Sequence, residues 1–85
     1  MEDIAKLRKR IDRVDEQILH SLSDRAKTCR SIGFLKKKQG LPIKDQQRET
    51  NLYEKIKKRA VELNLDPARV EEIYRQIVEM CISVQ

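Results

Sequence analysis

A positively charged side chain stands where the helical pattern of this sequence calls for an apolar one. The first apolar stripe passes through Ile4, Ile11 and Ile18 at intervals of seven, and the next position on it is Arg25. Taking a guanidinium out of water costs several kcal/mol unless a partner or a ligand compensates it. Lys36 follows eleven residues later, which returns to nearly the same helix face. Both cations can therefore face one pocket.

The second helical stripe shows the same kind of interruption. Asp45, Arg48 and Glu49 precede Leu52 and Ile56 at helical spacing, so charged residues continue the face that the apolar residues bury. Carboxylates and guanidinium groups on an inward face are typical of a polar binding site.

Each of these charged residues also has a simpler, purely structural interpretation. Arg25 could form an ion pair with Glu49 or Asp24, Lys36 could belong to a solvated run of lysines, and Asp45 could act as a helix cap alone. The Arg48–Glu49 pair and Arg25 are the hardest to explain in that way, because they occupy buried stripes.

The two cysteines lie in apolar helical surroundings, without a CxxC motif or a histidine partner. We therefore expect Cys29 and Cys81 to be reduced thiols in a reducing compartment, neither a disulfide scaffold nor a metal site. Gln85 follows Cys81 by four residues and continues the same helix face.

The position of Arg8 on the first helix indicates how two chains could assemble. It precedes Arg25 by seventeen positions, about 25 Å along one helix, so one chain cannot bring both guanidinium groups to one small molecule. In an antiparallel dimer, Arg8 of the partner subunit could approach Arg25.

Three helices must position these residues, and we expect them at about 3–38, 45–64 and 67–85. Gly40 can adopt a left-handed cap, and Pro42 cannot continue a helix. Asp45 is a good N-cap, and Asp66 with Pro67 places an acceptor and a proline at a third helix start. The sequence shows no strand pattern, so the predicted fold class is all-α.

The first helix is too long for a compact monomer. It would measure about 50 Å, whereas an 85-residue domain has a radius of gyration near 12 Å. We expect an intertwined homodimer in which two long helices pack together and the short helices fold over both. A three-helix monomer with a frayed first helix is the alternative.

Composition limits the remaining possibilities. The 85 residues are 39% apolar and 39% charged, so we expect one domain (1–85) and not a multidomain enzyme. The start of the chain lacks the apolar segment of a signal peptide, and no apolar run approaches the length that spans a bilayer, so we expect a cytoplasmic protein. A net charge of +5 suggests an anionic partner.

The chain resembles the small all-helical chorismate mutases of the intertwined-dimer class. The match runs from Leu7 to Gln85 without insertion or deletion. It passes through LRKRIDRVDEQIL, the DR of Asp24–Arg25, the GFLK that ends at Lys36, PIKDQQRE, the LD of Leu65–Asp66 and the final IVEMCISVQ.

The resemblance implies a reaction, the rearrangement of chorismate to prephenate, and a role for each matching residue. Arg25 and Arg8 of the partner subunit would bind the two carboxylates, while Lys36 and Gln85 would donate to the ether oxygen. Glu49 and the backbone near Asp45 would meet the ring hydroxyl, and Arg48 would help to order the pocket and could contact a carboxylate. Cys81 stands where many members have a serine that touches a carboxylate, and a thiol is a weaker donor.

The expected chemistry needs no nucleophile, metal or cofactor, and the sequence offers no cluster for any of them. An isochorismate pyruvate-lyase on the same scaffold is the nearest alternative. A basic helical module that binds nucleic acid would gather its cations on an exposed face, and a purely structural dimer would give Arg25 no purpose. We therefore expect a small-molecule enzyme with no nucleic-acid or membrane partner.

Overall fold

A computed structural model describes residues 3–85 and contains three α-helices in this part of the chain. α1 comprises Ile4–Gln39, α2 comprises Gln46–Glu62 and α3 comprises Pro67–Val84. The prediction of an all-helical chain with one long and two shorter helices is confirmed.

The ends of α1 follow directly from its flanking residues. Asp3 caps the start by accepting a hydrogen bond from the backbone N–H of Lys6 at 2.9 Å. Gly40 ends the helix in the left-handed region, with φ of 69°, and the N–H of Leu41 returns to the carbonyl of Lys36 at 2.8 Å. A residue with a Cβ would be strained at that φ, so glycine fits there.

α2 ends two residues earlier than predicted. Asp45 caps its start as expected, accepting from the N–H of Arg48 at 3.0 Å. Asn64 has a φ of 59°, and the N–H of Leu65 bonds to the carbonyl of Ala60 at 2.8 Å. Asparagine tolerates the left-handed region better than most residues, so here it terminates the helix instead of extending it.

α3 is the helix that joins the other two. Asp66 caps it by accepting from the N–H of Ala68, and Pro67 occupies the first helical position, as predicted. α3 packs against both α1 and α2, whereas α1 and α2 do not pack directly against each other within residues 3–85. The position of α2 relative to α1 therefore depends on α3 and on the connection at 40–45.

A polar cluster supports the contact between α2 and α3. Glu71 on α3 binds Lys57 on α2 at 3.1 Å and Arg75 at 3.0 Å, and Arg75 lies over the ring of Tyr53, 4.4 Å from its centre. The hydrogen bonds from Lys57 and Arg75 lower the pKa of Glu71 below its ordinary value of 4.5.

The apolar core of one chain is small. Its buried residues are Cys29, Tyr53, Ala60 and Val78, while the first half of α1 exposes its whole apolar stripe: Ile4, Leu7, Ile11, Val14 and Ile18 are each 40–66% exposed. The chain measures 58 × 24 × 15 Å, with a radius of gyration of 16.2 Å against about 12 Å for a compact domain of this length. Its accessible surface is 7272 Å², about 2,000 Å² more than a compact monomer of 10.1 kDa exposes.

The two cysteines form a disulfide bond, so the prediction of reduced thiols is wrong for this structure. Cys29 on α1 and Cys81 on α3 lie with their Cα atoms 5.5 Å apart and their sulfurs bonded at 1.97 Å. The pairing could not be deduced from spacing, because 52 positions separate the two residues and the packing of α3 on α1 brings them together. None of the helices described is both long and apolar enough to cross a membrane.

Candidate active site

A cavity of about 400 Å³ opens where the second half of α1, the start of α2 and the last turns of α3 meet. The structure places seven of the eight predicted site residues around it, namely Arg25, Lys36, Asp45, Arg48, Glu49, Cys81 and Gln85. Apolar side chains complete the wall, including Ile32, Leu52, Val78 and Ile82. The cavity is therefore polar at defined points and apolar between them, as ligand sites usually are.

Lys36 and Gln85 converge from two different helices. The ammonium of Lys36 donates to Oε1 of Gln85 at 3.3 Å and also to the backbone carbonyl of Ile43. The amide of Gln85 donates through Nε2 to the sulfur of Cys81 at 3.4 Å. An ammonium has three N–H groups and a primary amide has two, so each side chain keeps one N–H beyond these contacts.

The basic residues of the cavity lack carboxylate partners. Within residues 3–85, no carboxylate lies at ion-pair distance from Arg25, Lys36 or Arg48, so the simple interpretation of Arg25 as an ion pair with Glu49 or Asp24 fails. Arg25 is half-buried and donates weakly to the sulfur of Cys29 at 3.8 Å. The lining contains four basic and two acidic side chains, an excess of two positive charges. That excess is equal and opposite to the charge of a dicarboxylate.

Glu49 presents an acceptor without a donor. Its Oε2 atom is buried and has no hydrogen-bond partner in the part of the chain that the structure describes. A buried polar atom of this kind costs free energy until a ligand or water satisfies it. The nearby carboxylate of Asp45 accepts the capping hydrogen bond of α2 through Oδ1, whereas Oε2 of Glu49 is buried and has no donor among the described residues.

Cys81 lies in the cavity wall as predicted, but its chemistry differs from the prediction. The sulfur is bonded to Cys29 and carries no proton, so it cannot donate a hydrogen bond to a carboxylate. It accepts instead, from the amide of Gln85.

Arg8 is the predicted site residue that the single chain leaves outside the cavity. It is exposed on the first half of α1, about 25 Å along the helix from Arg25. Its contribution to a shared site remains a prediction.

Three contributors to the site were not recognised from the sequence. The carbonyl of Ile43 binds Lys36, Cys29 bonds to Cys81, and Gly33 lets the end of α3 approach α1. No signal in the sequence indicates the last two, because each contact joins positions about fifty residues apart and depends on how α3 packs on α1.

Comparison with known proteins gives consistent results over almost the whole chain. Residues 7–85 match the family model for chorismate mutase type II. A chorismate mutase of Methanocaldococcus jannaschii is 32% identical over 79 residues, which cover 93% of this chain and 80% of that protein. A bifunctional chorismate mutase/prephenate dehydratase of Aquifex aeolicus is 40% identical across all of this chain, which spans only 24% of that longer protein.

A solved structure supports the same conclusion at the level of the fold. A conserved hypothetical protein from Pyrococcus furiosus superimposes with a TM-score of 0.73 at 36% sequence identity, over 95% of this chain and 92% of the other. Since the family match includes every cavity residue named above, the chain belongs to the chorismate mutase type II family.

Proposed function

We propose that this chain catalyses the rearrangement of chorismate to prephenate in the cavity between its three helices. The observation that carries the proposal is the set of basic side chains around that cavity, which have no carboxylate partners among the described residues. Chorismate is a dianion, and the excess of two positive charges in the lining matches it. The reaction is intramolecular, so the protein's task is to hold one conformation and to stabilise the charge that develops.

Arg25 is proposed to bind one carboxylate of the substrate. A guanidinium presents parallel N–H groups that fit a carboxylate in two places, which fixes its orientation as well as its charge. Arg48 lines the same cavity from α2 and is proposed to help orient the substrate. Holding a flexible dianion in its compact reactive shape lowers the entropic part of the barrier.

Lys36 and Gln85 are proposed to donate to the ether oxygen whose bond breaks. Each has one N–H left after its contacts with the protein, and the two groups lie side by side. Electron density gathers on this oxygen in the transition state, so both hydrogen bonds strengthen as the bond breaks. Binding that is stronger in the transition state than in the ground state raises kcat.

Glu49 is proposed to accept a hydrogen bond from the ring hydroxyl. Its Oε2 atom is the buried acceptor without a donor, and a hydroxyl would satisfy it. Asp45 lines the same cavity, and its backbone is proposed to support this contact.

We further propose that the active molecule is an intertwined homodimer. The exposed stripe on the first half of α1 repeats at intervals of three and four, as in paired helices, and the surplus surface of about 2,000 Å² is what a stable subunit contact covers. Antiparallel pairing of two α1 helices would bring Arg8 of the partner subunit toward Arg25. The second carboxylate of the substrate would then meet that guanidinium.

The test is a direct assay with the purified chain. We expect chorismate's ultraviolet absorbance to fall with time and NMR to identify the product as prephenate. A parallel assay offers isochorismate and measures released pyruvate. Pyruvate formation without prephenate would assign the chain to the lyase reaction, and no turnover of either compound would overturn the proposal.

A further inference from the structure

The disulfide between α1 and α3 touches two of the proposed site residues. Cys29 is 4% exposed, and its sulfur accepts from Nη1 of Arg25 at 3.8 Å. The bonded sulfur of Cys81 accepts from Nε2 of Gln85 at 3.4 Å. One covalent link therefore lies between the guanidinium that would bind a carboxylate and the amide that would bind the ether oxygen.

A second contact between the same helices lies one turn further on. A Cβ at Gly33 would lie 2.8 Å from Cα and 2.9 Å from Cβ of Gln85, so the two backbones touch at this point. Gly33 follows Cys29, and Gln85 follows Cys81, by four residues in each case. The two helices therefore run parallel here, held together first by the disulfide and then by the close contact at glycine.

Gln85 makes contacts to both α1 and α3. It follows Val84, the last residue of α3, and its backbone N–H reaches the carbonyl of Ile82 at 3.2 Å. Its side-chain amide joins Cys81 on α3 to Lys36 on α1, so its position depends on how α3 lies on α1.

We propose that the Cys29–Cys81 disulfide is a positioning element of the active site, which keeps the last turn of α3 in register with α1 so that the Gln85 amide lies beside Lys36. This inference rests on the proposed function, in which Gln85 and Lys36 act together on the ether oxygen. In this proposal the disulfide acts on the reaction through Gln85, whose amide donates to the bonded sulfur of Cys81.

Reduction removes the link without changing any other atom of the chain. Added dithiothreitol supplies two electrons and two protons: the Sγ–Sγ bond breaks, both cysteines become thiols, and the reagent closes into its own cyclic disulfide. Two thiol sulfurs can approach no closer than van der Waals contact, so the end of α3 gains freedom relative to α1.

The experiment compares kcat and KM of the oxidised and the reduced chain, with thiol titration to verify zero and two free thiols. We expect reduction to lower kcat about tenfold. KM should change less than about twofold, because the contact of Gln85 with the ether oxygen matters most in the transition state. The single variant Cys29→Ser, which breaks the disulfide and leaves Cys81 as a thiol in the cavity wall, should resemble the reduced chain and should not respond to dithiothreitol.

A Gln85→Ala variant separates positioning from a general structural effect. In that background there is no amide left to position, so reduction should leave the remaining kcat nearly unchanged. An equal tenfold loss in Gln85→Ala would overturn the proposal, since the disulfide would then act on the site as a whole.

Hydrogen exchange gives a readout that does not depend on turnover. Reduction should speed exchange of the backbone amides at 81–85 and leave those in the middle of α2 unchanged. If the oxidised chain does not convert chorismate, the proposed function fails while this measurement still decides whether the disulfide holds the helix end. Unchanged exchange with two titrated thiols would overturn the positioning role whatever the activity.

Discussion

Arg25 is half-buried on α1 without a carboxylate at ion-pair distance in the described part of the chain. Partial burial of a charge without an opposite charge costs free energy, and a bound carboxylate would offset that cost, which supports the proposed role of Arg25. Glu49 lines the same cavity, and its buried Oε2 atom has no hydrogen-bond donor among the described residues. Two charged side chains of this cavity therefore have binding capacity that the protein itself does not use.

Replacing Arg25 tests the carboxylate contact. Arg25→Ala should lower kcat/KM by about a hundredfold to a thousandfold, because it removes two charge-assisted hydrogen bonds. Circular dichroism should show unchanged helicity. Arg30→Ala is the matched control on an exposed part of the same helix and should retain activity. Near-normal turnover of Arg25→Ala would remove this residue from the site.

Lys36 and Gln85 should differ in importance. We expect Lys36→Ala to lose more kcat than Gln85→Ala, because a charge-assisted hydrogen bond is about twice as strong as a neutral one. Both losses should appear mainly in kcat. Steady-state kinetics of the two variants under identical conditions would measure the difference, and a larger loss in Gln85→Ala would reverse their proposed ranking.

At the scale of helices, the close contact at Gly33 makes a distinct prediction. Gly33→Ala favours the helix by up to about 1 kcal/mol, but its new Cβ must displace Gln85. We therefore expect kcat to fall about tenfold while the free energy of unfolding changes by less than about 2 kcal/mol. Ser31→Ala, exposed on the same helix, is the control. Unchanged kcat in Gly33→Ala would show that the position of Gln85 tolerates displacement.

The contact between α2 and α3 should depend on pH through Glu71. Its pKa is lowered by Lys57 and then by Arg75, so its contribution to stability is complete above pH 4.5 and is lost as the pH falls through the lowered pKa. Urea unfolding from pH 5 to pH 3 should show the difference between wild type and Glu71→Gln shrinking. Glu72→Gln, exposed nearby and 3.9 Å from Arg69, should show a much smaller change.

Much of this helical architecture could be predicted from local residue chemistry. Asp45, Asp66 and Gly40 mark helix ends because capping depends on residues a few positions apart. The disulfide and the contact at Gly33 depend on how α3 lies on α1, which joins positions about fifty residues apart. Local spacing does not reveal which distant residues meet, so the sequence predicts free thiols where the structure has a disulfide.

The inward placement of charged residues could also be predicted, since a helix face follows from spacing alone. Seven of the eight predicted residues do line one cavity. What spacing could not reveal is how each group is engaged: Asp45 is occupied by its cap, whereas Glu49 keeps a buried oxygen free of any described partner.

At the scale of the whole molecule, a shared site can be tested by mixing two inactive variants. Arg8→Ala and Arg25→Ala are each expected to have little activity. After subunit exchange, half of the dimers combine the two chains, and each of these contains one intact site, so activity should recover to about a quarter of wild type. No recovery after exchange verified by mass spectrometry would contradict a site built from two subunits.

The disulfide described above also closes part of the chain into a covalent ring. The 52-position interval between Cys29 and Cys81 encloses the whole of α2 and both connections. In the chain-entropy account, such a ring disfavours the unfolded state by about 4 kcal/mol. A protease that cuts once at 41–45 would therefore open the ring without releasing a fragment, and the two pieces would remain one molecule until a reductant separated them.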